Sequence, residues 1–373
     1  MRFLVISSAP IIKKNEDYFA YTPYNKEMEI WAKYVTEIAY CCPKWKNENG
    51  LLVSKISFSI DKYYELQEFN IKSIPSIIQT LFFIPYNFLV IIKAMFWADH
   101  IHLRCPGNVG LLASIAQLFF PKKVKTAKYA GNWDDNAKMP LSYKLQKRIL
   151  SNTFFTKNIQ VLVYGDWKEK TKNIKPFFTA TYKENDKNIF VPKRIEEKIN
   201  FIFVGMLTKG KQPLYAIQLV EELQKKNLNV QLSIYGEGTE REFIEEYIQN
   251  QNLQKTIILK GNQDFETIKK AYQESHFVIL PSLSEGWPKV IAEGMFWGCV
   301  PISTPVSCVP NMLDYGERGI LLTMNISKDI EVVSKTIADL KTYLKMQENA
   351  VNWSRQYTLD YFEKEIEQLL AKK

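Results

Sequence analysis

Short apolar runs alternate along the chain with longer segments in which apolar positions recur every three to four residues. The short runs predict buried strands and the longer segments amphipathic helices, so the pattern reads as repeated βα units with parallel sheets. In the first half, strands are expected at 3–7, 34–40, 51–58, 100–103, 124–129 and 161–164, and helices at 74–97, 109–119 and 141–150. The segment 27–40 reads equally as helix or strand. In the second half, strands at 200–204, 230–235, 256–259 and 276–280 alternate with helices at 213–225, 239–250 and 264–273. Strands at 300–303 and 319–322 follow, then helices from about 326. The polar stretch from Thr181 to Lys198 interrupts the rhythm and sets the expected boundary between domains 1–190 and 191–356.

The most apolar region, 74–97, is broken by Pro85 and Lys93 and leaves no clean run of about 20 apolar residues, the length a membrane crossing needs. It is expected as a helix of the N-terminal domain, either wholly in the core or with one face in peripheral contact with a membrane. The apolar start Phe3-Leu4-Val5-Ile6 is too short for a secretion signal and reads as a first buried strand.

With 373 residues, 46% hydrophobic and 24% charged, the chain can bury two separate cores. Five cysteines without metal-binding spacing suit a reduced, cytoplasmic location. The net charge of +9 comes from the first half, where no nucleic-acid-binding motif accompanies it. An anionic membrane surface or a diphosphate-bearing lipid is the partner this charge suits, and a merely lysine-rich composition explains it without one.

Chemistry concentrates between Glu285 and Gly298. There Glu285 and Glu293 bracket the almost wholly apolar segment Gly286-Trp287-Pro288-Lys289-Val290-Ile291-Ala292. Val278-Ile279-Leu280 before it reads as a strand ending at Pro281-Ser282-Leu283-Ser284, and Pro288 suits the first helical position, so the whole reads as strand, loop and helix start. A carboxylate in such surroundings is costly without a partner, and a ligand hydroxyl would serve. The plainer reading pairs Glu293 with Lys289, four residues earlier, worth about 0.2–0.5 kcal/mol at best.

This segment resembles the Glu-x7-Glu signature of family 4 glycosyltransferases with the GT-B fold. Other matches follow the order of that family: Phe201-Ile202-Phe203-Val204-Gly205 with Lys211, Tyr235-Gly236-Glu237-Gly238, Leu259-Lys260-Gly261-Asn262, and Leu280-Pro281-Ser282. The resemblance covers about residues 199–325. It implies two Rossmann-like parallel-sheet domains facing across a cleft, with the final helix, about 357–373, crossing back onto the first. It also implies a retaining, metal-independent transfer of a sugar from a nucleotide-sugar substrate, a UDP- or GDP-sugar, with no separate cofactor. The acceptor would be a saccharide or lipid-linked saccharide, in surface polysaccharide or lipopolysaccharide assembly at the inner face of the cell membrane.

By the same resemblance, Lys211 and the backbone at Gly205, Gly286, Trp287 and Pro288 would hold the donor diphosphate. Glu285 would face the donor sugar and Glu293 the ribose diol. Gly236 and Gln263 would lie near the nucleotide. The family commonly has arginine after Gly205, where this chain has Met206, with Lys209 nearby as a substitute cation.

On the acceptor side, the loop Ala130-Gly131-Asn132-Trp133-Asp134-Asp135-Asn136 offers Asp134 to orient or deprotonate a hydroxyl and Trp133 to stack on a sugar. Asp134 reads equally as a turn residue. Alternation in His100-Ile101-His102-Leu103-Arg104 puts both histidines and Arg104 on one strand face. His102 is a rival base and Arg104 a contact for an anionic acceptor; no metal site is expected. Three other classes share parts of this pattern. A dehydrogenase lacks its Gly-x-Gly-x-x-Gly after the first strand, which here gives Ser7-Ser8-Ala9-Pro10. A sugar phosphorylase lacks an obvious cofactor lysine. A catalytically silent partner subunit is prompted by Met206.

Overall fold

Two sheets organise the chain, and they lie in different units of the computed structural model, which describes residues 1–50, 52–69, 74–135, 137–167 and 171–371. The first unit comprises Met1–Phe177 with the residues from Glu363 onward, and the second Phe178–Phe362. The division falls ahead of the polar stretch 181–198 that the sequence suggested.

In the first unit β1 (Arg2–Ile6), β2 (Ile11–Lys14) and β3 (Asp17–Tyr21) lead into α1 (Thr22–Ala32). Next come β4 (Glu37–Trp45), β5 (Val53–Lys55), β6 (Lys62–Leu66) and the long α2 (Ile74–Trp97). β7 (His100–Cys105), α3 (Asn108–Ala116), β8 (Val124–Tyr129), α4 (Leu141–Ser151), β9 (Ile159–Tyr164) and β10 (Ile174–Phe177) complete it. The strand order is β10-β9-β8-β7-β1-β4-β2-β3-β5, with β6 also on β4. All its pairings are parallel except those of β3 with β2 and β5.

That antiparallel hairpin was not expected. Asn15, at positive φ, lets the chain reverse between β2 and β3, which a parallel pattern does not foresee. The ambiguous segment 27–40 divides into the end of α1, which buries Met28, Ile30 and Trp31, and the start of β4. Of the expected strand 51–58 only Val53–Lys55 is paired, and Leu51 lies outside the described residues. β6 and β10 escaped notice because Lys62-Tyr63-Tyr64-Glu65-Leu66 is half polar and Pro176 cannot donate to a ladder, which suits it to an edge.

The second unit repeats βα more regularly: β11 (Ile199–Val204), α5 (Pro213–Lys225), β12 (Val230–Tyr235), α6 (Arg241–Asn250), β13 (Ile257–Gly261) and α7 (Phe265–Glu274). β14 (Phe277–Leu280), α8 (Lys289–Phe296), β15 (Val300–Ser303), α9 (Val309–Met312) and β16 (Ile320–Leu321) follow. Then come α10 (Ile326–Ala338), α11 (Leu340–Ser354) and α12 (Leu359–Ala371). The end of α12 belongs to the first unit, where Glu363 meets Lys33 at 2.9 Å and Glu365 meets Lys175.

The order β13-β12-β11-β14-β15-β16 is parallel throughout and reverses direction between β11 and β14. Loops leaving such a pair diverge to opposite faces of the sheet, which opens a crevice at the carboxyl ends of the strands. The sheet therefore designates the loops after Val204 and Leu280 as a binding place.

Candidate functional site

Backbone hydrogen bonds tie the loops at this end of the second sheet to one another. Leu207 N donates to Glu237 O, Gly236 N to Gly261 O and Leu283 N to Gly210 O, each at 2.9 Å. The approach is closest at Gly236, whose φ is +139° and where a Cβ would stand 1.9 Å from Gly205 O. A side chain there is excluded by both backbone conformation and space. Gly294 is needed for a different reason, since a Cβ on it would meet Val278 Cγ1 at 2.6 Å and its absence lets α8 lie directly on β14.

The turn after β11 places Lys211 by donating its N–H, and that of Gln212, to Thr208 O. From that turn Lys211 Nζ reaches Glu285 Oε1 at 2.5 Å, joining positions 74 residues apart. The Glu285 side chain is 9% exposed and that of Lys211 28%, so the carboxylate is nearly sealed while the ammonium still meets solvent. Pro288 caps α8 rather than opening its first turn, and no acidic side chain occupies that turn. Backbone donors at a helix start together with a cation are what a phosphate group requires. Met206 is exposed on the same loop and so is Lys209, while the Gln263 amide folds back onto Lys260 O at 2.7 Å.

Glu293 is half-buried, and both of its oxygens already accept hydrogen bonds within the protein. Thr181 Oγ1 donates to Oε1 at 2.7 Å and Tyr272 to Oε2 at 3.2 Å. No ion pair joins it to Lys289 among the described residues. Burial, and then the Glu293 charge, raise the Tyr272 phenol well above its ordinary pKa and keep it a donor. The sequence pointed to a ligand hydroxyl as the partner of Glu293, whereas here two protein hydroxyls, Thr181 and Tyr272, satisfy it. Its further lone pairs leave capacity for more donors. Trp287 is buried beside Trp353 and Tyr357, so its ring is a packing element.

The first unit corrects several expectations. His102 is fully buried, 4.4 Å from the Trp31 ring, with Nδ1 2.8 Å from Thr126 Oγ1. His100 Nε2 contacts the same hydroxyl at 3.0 Å. Burial above all, and then Arg104, push the His102 pKa well below its usual value, and burial pushes His100 to about 4. His102 is thus a core residue and not a base facing an acceptor.

Arg104 is also inside. It pairs with Glu27 Oε1 while Lys128 Nζ takes Oε2 at 2.8 Å, and it lies 4.8 Å from the Tyr24 ring. Burial alone would raise the Glu27 carboxyl; Arg104 and then Lys128 overcome it and hold the pKa at about 2. This cluster fastens α1 to β7 and β8, so Arg104 is engaged in structure rather than offered to an anion. Sequence reading missed Glu27 and Lys128 because an isolated charge in a helix or strand signals a solvated face.

Trp133 is buried edge-on against Tyr129 at 4.8 Å, with Lys147 Nζ 4.9 Å from its own ring, so the ring is engaged in packing rather than exposed as a stacking platform. Asp134 is half-buried in a turn in which its N–H donates to Asn132 Oδ1 at 2.9 Å. Asn136 lies outside the described residues. Among the described residues, no group of three or more His, Cys, Asp or Glu side chains is placed to hold a metal ion.

Residues 184–355 match the family described as "Glycosyl transferases group 1". An uncharacterized glycosyltransferase of Haemophilus influenzae is 27% identical over 206 residues, 52% of this chain and 54% of that protein. The poly(glycerol-phosphate) alpha-glucosyltransferase of Bacillus subtilis is 25% identical over 171 residues, 43% of this chain and 24% of that protein. The chain thus spans about half or less of the curated relatives it matches. Among solved structures, Anabaena HepE in complex with UDP superposes with a TM-score of 0.68 at 12% identity, covering 100% of this chain and 99% of that one. The two parallel-sheet units have the GT-B fold, and residues 184–355 resemble the glycosyl transferases of group 1.

Proposed function

We propose that the protein is a glycosyltransferase that moves a sugar from a nucleoside-diphosphate sugar to a saccharide or lipid-linked saccharide, with retention of anomeric configuration. The observation that carries this reading is the Lys211–Glu285 pair at the β11/β14 reversal, beside the start of α8. Lys211 and the free N–H groups of that helix start take the charge that develops on the departing nucleotide. Glu285 holds Lys211 in place and faces the donor sugar. Glu293 receives the ribose hydroxyls on the lone pairs that Thr181 and Tyr272 leave. The acceptor hydroxyl attacks the anomeric carbon on the face the nucleotide vacates and passes its proton to the leaving diphosphate. No metal ion or further cofactor enters this scheme.

The UDP bound to HepE supports a uridine donor, and the poly(glycerol-phosphate) named for the Bacillus enzyme a polymeric acceptor. The proposed setting is surface polysaccharide assembly at the cytoplasmic side of a membrane. The test is product formation from UDP- and GDP-sugars with polyprenyl-linked and free saccharide acceptors. One donor giving a transferred sugar, with Lys211→Met about 10²–10³-fold slower, is expected. A second reading, a catalytically silent partner subunit, is favoured by Met206 on the diphosphate loop. Absence of transfer with every donor, alongside tight nucleotide binding, would select it.

A further inference from the structure

The helical layer formed by α2, α3 and α4 turns apolar side chains outward as well as inward. Ile91, Ala94 and Met95 of α2 enter the core, yet Phe82, Leu89 and Phe96, seven residues apart on the opposite side, are 73%, 68% and 70% exposed. From Thr80 to Trp97 the mean hydropathy is 1.6 while only 28% of the segment is buried. A helix apolar all round belongs in a core or in lipid, and among the described residues of this one Leu81, Phe82, Ile84, Tyr86, Leu89 and Phe96 are exposed.

The exposed face continues across neighbouring elements. α3 packs between α2 and α4. Phe119, just beyond α3, lies 6.3 Å edge-on from Phe88 and is 68% exposed. The turn after α4, with Phe154 and Phe155 outward, is pinned alongside by Gln117 Nε2 to Thr156 Oγ1 and Asn158 Nδ2 to Pro121 O, each at 3.0 Å.

Charge on this layer is of one sign. α2, α3 and α4 contain no Asp or Glu. Between Glu68 and Asp166 the sequence holds three carboxylates, Asp99, Asp134 and Asp135, against twelve Lys and Arg. Lys93 stands within the α2 stripe, while Lys144 and Arg148, one turn apart on α4, line a cavity of about 630 Å³ with Trp133 and with Asp135, whose charge Lys147 already pairs. A second copy docked on this face would bring cation against cation. A surface of outward rings edged by lysines instead suits the boundary between acyl chains and anionic headgroups.

We infer that this three-helix face seats the protein on an anionic lipid bilayer, lying in the interface without crossing it. Crossing would require α2 to leave the unit, whereas Asn87 clamps it by bonding Gln67 N at 2.9 Å and Gln67 O at 2.8 Å. The inference stands apart from the proposed transfer reaction, since it uses none of the second unit's residues.

Flotation of the full chain with phosphatidylcholine vesicles, with and without 30 mol% phosphatidylglycerol, tests it. Binding to the anionic vesicles, weakened by 0.5 M salt and at least about tenfold above binding to neutral ones, is the expected result. Phe82→Ser with Phe96→Ser should abolish flotation, and Lys144→Glu with Arg148→Glu should reduce it about tenfold, with unchanged circular dichroism. Because these side chains are exposed, both variants should fold. Equal recovery with both vesicles, no flotation, or a wild-type dimer that the Phe82/Phe96 variant converts to monomer would overturn the inference.

Discussion

Each unit holds a little-exposed carboxylate bound to lysine or arginine, in the second unit at the β11/β14 reversal and in the first between α1, β7 and β8, and the two arrangements serve opposite ends. In the second unit Lys211 meets Glu285 on loops, with the ammonium still in contact with solvent. In the first, Arg104 and Lys128 share Glu27 beneath α1, and the Lys128 side chain is 1% exposed. A cation on a loop, held by one carboxylate and facing solvent, can exchange that contact for a phosphate. Cations sealed between a helix and a sheet cannot, because their partner is what makes burial tolerable. Similar chemistry in two parallel sheets thus suits the proposed ligand site in one and a structural clasp in the other.

The sharpest way to break this contrast is Glu27→Gln. Leaving Arg104 and Lys128 inside without their carboxylate should destabilise the first unit by about 3–5 kcal/mol. Hydrogen exchange resolved along the chain should show that loss while β11 to β15 keep their protection. A loss below about 1 kcal/mol would mean that the cluster is hydrated and available. Lys211→Met should do the reverse. Transfer should fall about 10²–10³-fold while unfolding by denaturant is unchanged, and a marked stability loss would make Lys211 structural too.

Acid should separate the units next. The folded-state pKa of His100 lies at about 4 and that of His102 well below its ordinary value, so the unfolded chain binds more protons as pH falls. Stability from their neutral burial is intact above about pH 6.5 and declines toward pH 4, by about 3 kcal/mol for His100 alone. Protection in β1, β7 and β8 should therefore fade first in that interval, and His100→Asn should flatten the slope. The smallest effect is expected from Tyr272→Phe. It removes one hydrogen bond to Glu293, costs the second unit about 1 kcal/mol and leaves nucleotide affinity within about twofold. Glu293→Gln should weaken nucleotide binding measurably, and equal affinity in that variant would remove its assigned role.

The second unit was legible because its chemistry sits in loops between strands of plain apolar pattern. Gly236 and the Glu285–Glu293 spacing keep their meaning without knowledge of the tertiary neighbours. The first unit was not, because alternation in His100-Ile101-His102-Leu103-Arg104 describes a half-buried strand, whereas helices cover both faces of a central parallel strand. Trp133 misled for a related reason: an aromatic in a polar loop reads as open, and Tyr129 and Lys147 fold over it. Thr181 and Tyr272 carried no signal, since ordinary hydroxyls acquire a role only when folding brings them to a carboxylate. The extent of α2 was readable to the residue, whereas its uncovered face appeared only with the coordinates.

Calorimetric titration of the wild-type chain and of Lys211→Met with UDP and with GDP tests the central claim most directly. One of the two nucleotides should bind the wild type, and the substitution should weaken it at least about tenfold, equivalent to about 1.4 kcal/mol. Absence of binding by both nucleotides, or equal affinity in the two proteins, would contradict a donor site at the Lys211–Glu285 pair.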